Sequence, residues 1–142
     1  MTVKPAIIPC LRYEDAPAAI DFLCRAFGFE RHAVYADDKD PSIVQHAQLA
    51  DRGNMIMLSS VGRSDSEFVE KSGMKTVAQA GGNTQSSYIV LDDVDGHAER
   101  ARAAGAEIVA EPADQDYGGR VYSARDPEGY VWSFGSYDPW AE

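Results

Sequence analysis

Three histidines are the side chains of this sequence best suited to proton exchange near neutral pH. His46 stands in the segment QHAQL, where the two-residue period of a strand puts it on the same face as Gln48. His32 lies in another predicted strand and can point to either face, whereas His97 lies in a predicted helix. We expect His46 and Gln48 to offer polar contact to a ligand and His97 to lie at the surface. A hydrogen-bonded structural role is the alternative for His46.

Signatures of covalent, phosphate or zinc chemistry are missing from the sequence. It contains no GxSxG nucleophile motif, no HExxH zinc motif and no phosphate-binding glycine loop ahead of a helix. The carboxylate pairs Asp37–Asp38 and Asp92–Asp93 stand at predicted turns or a helix start, where capping and solvation explain them. Cys10 and Cys24 fit no metal or redox spacing, so we expect two small buried thiols.

The elements that position these side chains begin with a strand at residues 3–13, rich in apolar residues. The segment EDAPAAIDFLCRAFG then predicts a helix, because Asp15 is a suitable N-cap and Gly28 a suitable end. Three strands are predicted after it, at residues 29–36, 42–50 and 54–61. The order of this first unit is therefore β-α-β-β-β.

A polar connector with several glycines, residues 62–84, precedes a second unit and has room for one short helix. A strand at 86–91 and a helix at 94–105 follow. Three further strands are predicted at residues 107–113, 119–124 and 130–137. A shift of 77 positions aligns identical residues in the two helical segments, including Gly28 with Gly105. We interpret this as an internal duplication.

Composition limits the classes of partner. The chain has 142 residues and a formal net charge of −10 at pH 7, which argues against binding to nucleic acid. No apolar run approaches the roughly 20 residues that span a bilayer. The first ten residues, MTVKPAIIPC, lack the apolar stretch of a secretory signal. We therefore expect a cytoplasmic protein with neither nucleic-acid nor membrane partners.

Four motifs carry a resemblance to a known family: YEDAPAAIDFLCRAFGFE, HAQLADRGNMIMLSS, LDDVDGHAERARAAGAEIV and DYGGRVYSARDPEGYVWSFGSY. Over about residues 6–138 the chain resembles the vicinal oxygen chelate superfamily, which includes glyoxalase I, extradiol dioxygenases and bleomycin-resistance proteins. The resemblance implies an α+β fold of two tandem βαβββ modules that form a cupped mixed sheet around a cavity. The modules fall at about 3–61 and 85–138 within a single domain, 1–142.

The resemblance also bears on metal binding. Metal enzymes of that superfamily place a ligand, usually His, Gln or Glu, on each of four cavity-facing strands. The corresponding positions here are Ile8, Met57, Ser86 and Ser133. None of these side chains supplies the imidazole or carboxylate that such a metal requires, although the neighbouring Gln85 could ligate. We therefore expect neither a metal nor another cofactor.

Strand alternation from those four positions predicts the side chains that face the cavity. Arg12 shares a face with Ile8, Tyr88 shares one with Ser86, and Tyr117 follows in a glycine-containing loop that could cover the cavity mouth. The predicted ligand-binding residues are Arg12, His46, Gln48, Met57, Tyr88, Tyr117 and Ser133. The alternative is that these side chains simply fill the face of the sheet.

The resemblance and the residues together predict a small-molecule-binding protein of the bleomycin-resistance type, which sequesters its ligand as in antibiotic resistance. Acidic loops and tyrosines favour a planar, neutral-to-cationic ligand, whereas Arg12 would attract a carboxylate or phosphate unless an acid pairs with it. The rival is a lyase or isomerase of the glyoxalase type acting on a small metabolite. Because such chains commonly pair and edge strands such as EIVAEPA need cover, we also expect a homodimer.

Overall fold

A computed structural model describes residues 2–61 and 67–141 of the chain. In those two stretches the first module contains β1 (Cys10–Tyr13), α1 (Ala16–Phe27), β2 (Glu30–Ala36), β3 (Val44–Asp51) and β4 (Asn54–Ser60). Two short helices, α2 (Glu67–Ser72) and α3 (Val77–Ala80), lie in the connector, where one was predicted. The second module contains β5 (Ser87–Val90), α4 (Val94–Ala103), β6 (Glu107–Asp114), β7 (Arg120–Arg125) and β8 (Val131–Gly135). The α+β class and the repeated βαβββ order are confirmed.

The strands form two separate four-stranded sheets of the same design. Their orders are β1-β4-β3-β2 and β5-β8-β7-β6. In each sheet the first strand pairs in parallel with the last, and the remaining pairs are antiparallel. The parallel pairing follows from the helix that separates the first strand from the other three, because parallel neighbours need a long crossover connection. In consequence β1 and β5 are both edge strands.

Helix α1 begins and ends where its sequence predicts. The Asp15 carboxylate accepts a hydrogen bond from the Ala18 backbone N–H at 3.1 Å, and Gly28 adopts a left-handed conformation with φ of 83°. That conformation strains a residue with a side chain but suits glycine. The predicted apolar stripe of Ala16, Ile20, Leu23 and Phe27 is buried. The helix therefore covers one face of the first sheet.

Strand β1 is shorter than predicted, because residues 2–9 lie outside regular secondary structure. Pro5 and Pro9 lack the backbone N–H that a strand donates to its neighbour. Pro9 still accepts a hydrogen bond through its carbonyl, from the Met57 N–H at 2.9 Å. Ile7 is 97% exposed. The strand begins only after the second proline.

The two modules share one apolar core, which lies between their helices and sheets. Phe27, at the end of α1, packs against Trp132 and Phe134 of β8, with ring centroids 5.8 and 4.8 Å apart. Both aromatic residues of β8 are buried, as the alternation around Ser133 predicts. Helices α1 and α4 also contact each other. Packing between the modules therefore runs mainly through the helical side of each sheet.

His97 lies in this packing region rather than at the surface, so its predicted position is wrong. Its Nε2 lies 3.1 Å from the Phe27 carbonyl oxygen, which can only accept a hydrogen bond, so Nε2 carries the proton. Its Nδ1 then accepts from the Tyr122 hydroxyl at 2.5 Å. Burial lowers the pKa of His97, although the bond to Phe27 acts in the opposite direction. His97 lies on the face of α4 that packs against α1 of the other module. The sequence of α4 alone does not indicate this packing.

The turn before β8 joins the modules through the buried side chain of Asp126. Its carboxylate accepts hydrogen bonds from the Tyr13 hydroxyl at 2.6 Å and from the Trp132 indole N–H at 3.2 Å. Backbone N–H groups of Glu128 and Tyr130 bind its other oxygen. Burial raises the pKa of Asp126, and these hydrogen bonds oppose the rise. The carboxylate is satisfied by its neighbours and acts as a structural group.

Two neighbours of Asp126 hold the start of the first module. The Glu128 carboxylate accepts from the backbone N–H groups of Glu14 at 2.6 Å and Asp15 at 2.9 Å. The Tyr130 hydroxyl accepts from the Arg12 N–H at 3.1 Å and donates to the Arg12 carbonyl at 3.0 Å. Side chains of the second module thus satisfy backbone groups of β1 and of the turn that follows it.

The cysteines are less buried than predicted. Cys10 is exposed and Cys24 is half-buried, and both are free thiols. Cys10 is the first residue of the edge strand β1, which explains its exposure. Burial raises the pKa of Cys24. Among residues 2–61 and 67–141, no helix is long and apolar enough to cross a membrane.

Candidate functional site

The side of the first sheet that faces away from α1 is called here the first open face. On β3 and β4 the buried residues Ala47, Leu49, Ile56 and Leu58 alternate with half-exposed ones. Four predicted ligand-binding residues occupy this face, namely Arg12, His46, Gln48 and Met57. Met57 is the register partner of both Cys10 and Gln48, so the four residues come from three neighbouring strands.

His46 and Gln48 form a polar pair on the first open face. The Gln48 side-chain nitrogen lies 3.1 Å from His46 Nε2. An amide nitrogen only donates, so His46 Nε2 accepts and its Nδ1 carries the proton. The Tyr35 ring stacks beside the imidazole, with 6.2 Å between ring centroids. The pair presents one imidazole donor and one amide oxygen as groups for polar contact.

Arg12 is almost completely buried, with 4% of its surface exposed. Its Nη1 lies 3.4 Å from the Ser59 hydroxyl on the adjacent strand β4. Its backbone is held by Tyr130, as described above. The Arg12 side chain is therefore held within the fold on edge strand β1.

The corresponding side of the second sheet, the second open face, carries Tyr88 and Ser133 as register partners. Ser133 pairs in turn with Ser123 of β7, and their hydroxyl oxygens are 2.7 Å apart. One hydroxyl donates to the other, which explains how a small polar residue is accommodated between Trp132 and Phe134, and the accepting hydroxyl keeps its own proton for a further hydrogen bond. Ser123 was missed from the sequence, although its alternation with buried Tyr122 and Ala124 could have indicated this face.

Tyr88 lies across strand β8 above Gly135. Its hydroxyl donates to the Tyr137 carbonyl at 2.6 Å. A Cβ atom at Gly135 would stand 2.6 Å from that hydroxyl and 2.6 Å from Cγ2 of Val121, closer than real Cβ contacts. The absence of a side chain at Gly135 is what allows the phenol to lie flat on the sheet.

Three tyrosines meet at this end of the second sheet and form what we call the tyrosine cluster: Tyr88, Tyr117 and Tyr137. The rings of Tyr117 and Tyr137 are nearly perpendicular, at 84°, with centroids 4.8 Å apart. Tyr88 is 40% exposed and Tyr117 57% exposed. Burial raises the pKa of Tyr88, and the neighbouring Tyr117 and Asp138 raise it further. The cluster therefore offers accessible ring faces in an electronegative setting.

The seven predicted site residues thus fall into two groups. Arg12, His46, Gln48 and Met57 lie on the first sheet, whereas Tyr88, Tyr117 and Ser133 belong to the second module. The sequence analysis did not identify Tyr137 and Asp138, which follow β8. Gly119 packs tightly on the backbone of Tyr137, and this packing brings Tyr137 close to Tyr117. No local pattern indicates that contact.

A cavity of about 660 Å³ lies elsewhere, beside the edge strand β1. Its walls come from residues 7–12, from the connector and the start of β5 at 73–87, and from residues 130–132. Among the predicted site residues, all of which are in the described part of the chain, Arg12 alone lines it. Ile8 and Ser86, two of the four inferred ligand positions, line it as well. We call it the edge cavity.

The donor atoms do not suit a divalent metal. Ile8, Met57, Ser86 and Ser133 provide an alkyl group, a thioether and two hydroxyls, and the Ser133 hydroxyl is bonded to Ser123. Within residues 2–61 and 67–141, no three His, Cys, Asp or Glu side chains are grouped so that they could hold a metal ion. The residues that are present therefore do not fit the metal centre of the related enzymes.

Comparison with known proteins extends over most of the chain. The family model of the Glyoxalase/Bleomycin resistance protein/Dioxygenase superfamily matches residues 6–134. A Mycobacterium bovis protein described as uncharacterized is 33% identical over 138 residues, covering 95% of this chain and 85% of the relative. A putative glyoxylase of the same organism is 44% identical over 46 residues, or 32% of this chain and 18% of the relative.

Among solved structures, the crystal structure of TioX from Micromonospora sp. ML1 is similar to this chain with a TM-score of 0.70. The two sequences are 31% identical, and the match covers 93% of this chain and 98% of TioX. The likeness thus extends over both modules.

Proposed function

Because the chain belongs to the Glyoxalase/Bleomycin resistance protein/Dioxygenase superfamily, we propose that it binds and sequesters a planar, neutral-to-cationic small molecule without a metal ion. This is the mode of action expected of the bleomycin-resistance type, and antibiotic resistance would be its biological role. The ligand would lie on the second open face, against the tyrosine cluster. The neutral hydroxyls of Ser123 and Ser133 would offer hydrogen bonds beside it.

The tyrosine cluster is the observation that carries the proposal. Two perpendicular rings and a third phenol supply both a stacking surface and the electron-rich faces that attract cations, worth about 0.5–2 kcal/mol for each ring. Asp138 lies near enough to raise the pKa of Tyr88, so a positive charge at this place would gain from the same field.

Tyr117 provides the experimental test. Replacement Tyr117→Ala is expected to weaken binding of a planar cationic dye about tenfold, because one ring face and its quadrupole are lost. Isothermal titration with the dye and with bleomycin measures the change. Phe68→Ala removes an aromatic ring of similar exposure, 67% against 57%, from α2 and serves as the matched control. Equal affinity of both variants and the parent for every planar probe would contradict the proposal.

A second candidate is a lyase or isomerase of the glyoxalase type, supported by the partial likeness to a putative glyoxylase. The His46–Gln48 pair is the group on the first open face that could exchange a proton with a substrate. Turnover of hemithioacetal substrates, together with elemental analysis for zinc, nickel, iron and manganese, separates this candidate from the binding protein.

A further inference from the structure

The edge cavity differs in charge from the rest of the molecule. The chain contains 23 acidic and 13 basic residues, yet none of the 21 cavity-lining residues in the described part of the chain is an aspartate or glutamate. Lys75 and Arg12 are its charged lining residues. In the adjoining turn before β8 both acidic side chains make hydrogen bonds within the fold, since Asp126 binds Tyr13 and Trp132 and Glu128 binds the backbone at Glu14 and Asp15. The described part of the lining therefore carries no carboxylate and presents the exposed ammonium of Lys75.

The lining combines apolar walls with neutral hydrogen-bond donors. Ile8, Met74, Val77 and Val131 supply apolar surface. Hydroxyl and amide side chains follow one another along the connector, at Asn83, Thr84, Gln85, Ser86 and Ser87. The volume of about 660 Å³ falls within the range of about 300–1,000 Å³ that is typical of ligand pockets. Space, apolar surface and donors are therefore present together.

The connector that closes the cavity is held in place by specific contacts. The Asn83 side chain donates to the Gly129 carbonyl at 2.8 Å and accepts from the Val131 N–H at 3.3 Å. Thr76 caps α3 through a reciprocal bond with Gln79 and is 1% exposed. Asn83 thus attaches the connector to the segment that leads into β8, and the cap at Thr76 defines the start of α3.

We propose that the edge cavity is a second binding site and that it takes an amphiphilic organic anion, with the acidic head group at Lys75 and the apolar body against Met74 and Val77. A carboxylate gains charge-assisted hydrogen bonds from the ammonium and the neighbouring hydroxyls, without repulsion from a lining carboxylate. An ammonium head group in the same position would meet the like charge of Lys75. The site is separate from the tyrosine cluster, and its ligand has the opposite charge.

Three probes with the same alkyl chain test the charge preference: octanoate, octylammonium and octanol. Titration calorimetry is expected to show octanoate binding about tenfold more tightly than the other two, the usual contribution of a hydrogen bond to a charged group. Lys75→Met should abolish this preference, whereas Lys75→Arg should keep it. Lys71→Met removes the same charge from α2, where Lys71 pairs with Glu67, and should leave octanoate binding unchanged.

A cavity-filling variant shows whether the probes occupy this place. Ala80→Trp adds a large ring to the cavity wall and should abolish octanoate binding while the planar cationic dye still binds at the tyrosine cluster. Circular dichroism verifies that each variant is folded. Equal affinity for octanoate and octylammonium, or octanoate binding unaffected by both Lys75→Met and Ala80→Trp, would overturn the proposal. Loss of dye binding in Tyr117→Ala bears on the proposed function alone.

Discussion

At the residue scale, several side chains are consumed by structural bonds that their types do not suggest. Ser133, which the family resemblance aligns with a metal-ligand position, has its hydroxyl bonded to Ser123. His97, with an imidazole suited to catalysis, joins Tyr122 to the Phe27 carbonyl inside the shared core. Chemistry-bearing side chains in this protein therefore divide into those that hold the modules together and those that remain accessible on the open faces.

His97 makes stability depend on pH. Burial lowers the pKa of His97 in the folded protein below about 6.5, the pKa of histidine in the unfolded chain. At pH values between these two pKa values, the unfolded chain binds more protons than the folded one. Stability is thus fully present above pH 6.5 and is lost as the pH falls through the folded pKa. Urea unfolding at pH 7.5 and 5.5 should show a smaller loss for His97→Gln than for the parent. An identical loss in both proteins would contradict this assignment, since all other groups are common to them.

At the element scale, the turn before β8 acts as a clamp on the other module. Asp126, Glu128 and Tyr130 lie within five residues, and each bonds to β1 or to the turn that follows it. Edge strand β1 has a sheet partner on one side only, and Tyr130 satisfies the backbone N–H and carbonyl of Arg12 on its other side. The clamp explains how two small sheets keep a fixed relative position although their strands do not pair with each other.

Replacement of Glu128, one of the two carboxylates of the clamp, should measurably lower the free energy of unfolding. In Glu128→Ala the N–H groups of Glu14 and Asp15 lose their acceptor at the start of α1, a loss comparable to that of a helix cap. We expect the free energy of unfolding to fall by about 1 kcal/mol, measured by urea denaturation at pH 7. Glu70→Ala removes an exposed glutamate from α2 as the control. A change no larger than that of the control would show that water replaces the carboxylate without cost.

At the scale of the whole molecule, the two open faces belong to different sheets and retain accessible apolar groups. Tyr35 is exposed on the first sheet, and Val90, the register partner of Gly135, is exposed on the second. Both sheets also end in edge strands. Apolar faces and free edges of this kind are usually covered by another chain. These features support the proposal that a second copy of the chain pairs with the first.

Light scattering at micromolar concentration is expected to give twice the mass of one chain. Val90→Asp places a charge on the second open face and should shift the protein toward the monomer, because a desolvated carboxylate opposes association. Ala18→Asp introduces the same charge in the first turn of α1, where it suits the helix, and should leave the mass unchanged. A parent protein that is monomeric under these conditions would refute the pairing.

Local properties of the sequence were sufficient to predict the order of the helices and strands. The N-cap at Asp15, the left-handed end at Gly28 and the apolar stripe of α1 all depend on residues within a few positions of one another. The same holds for the alternation that buries Trp132 and Phe134 and for the repetition of the whole unit. The poor metal-binding chemistry of Ile8, Met57, Ser86 and Ser133 also follows from side-chain type alone.

Only the tertiary structure decided which of these residues meet. It placed the predicted site residues on two sheets, brought Tyr137 beside Tyr117, and turned His97 toward α1 of the other module. It also gathered around one cavity 21 described residues that include no aspartate or glutamate, which a net charge of −10 does not predict. These outcomes depend on contacts between residues far apart in the chain. Such contacts are set by the packing of whole faces, and no local pattern of residues records them.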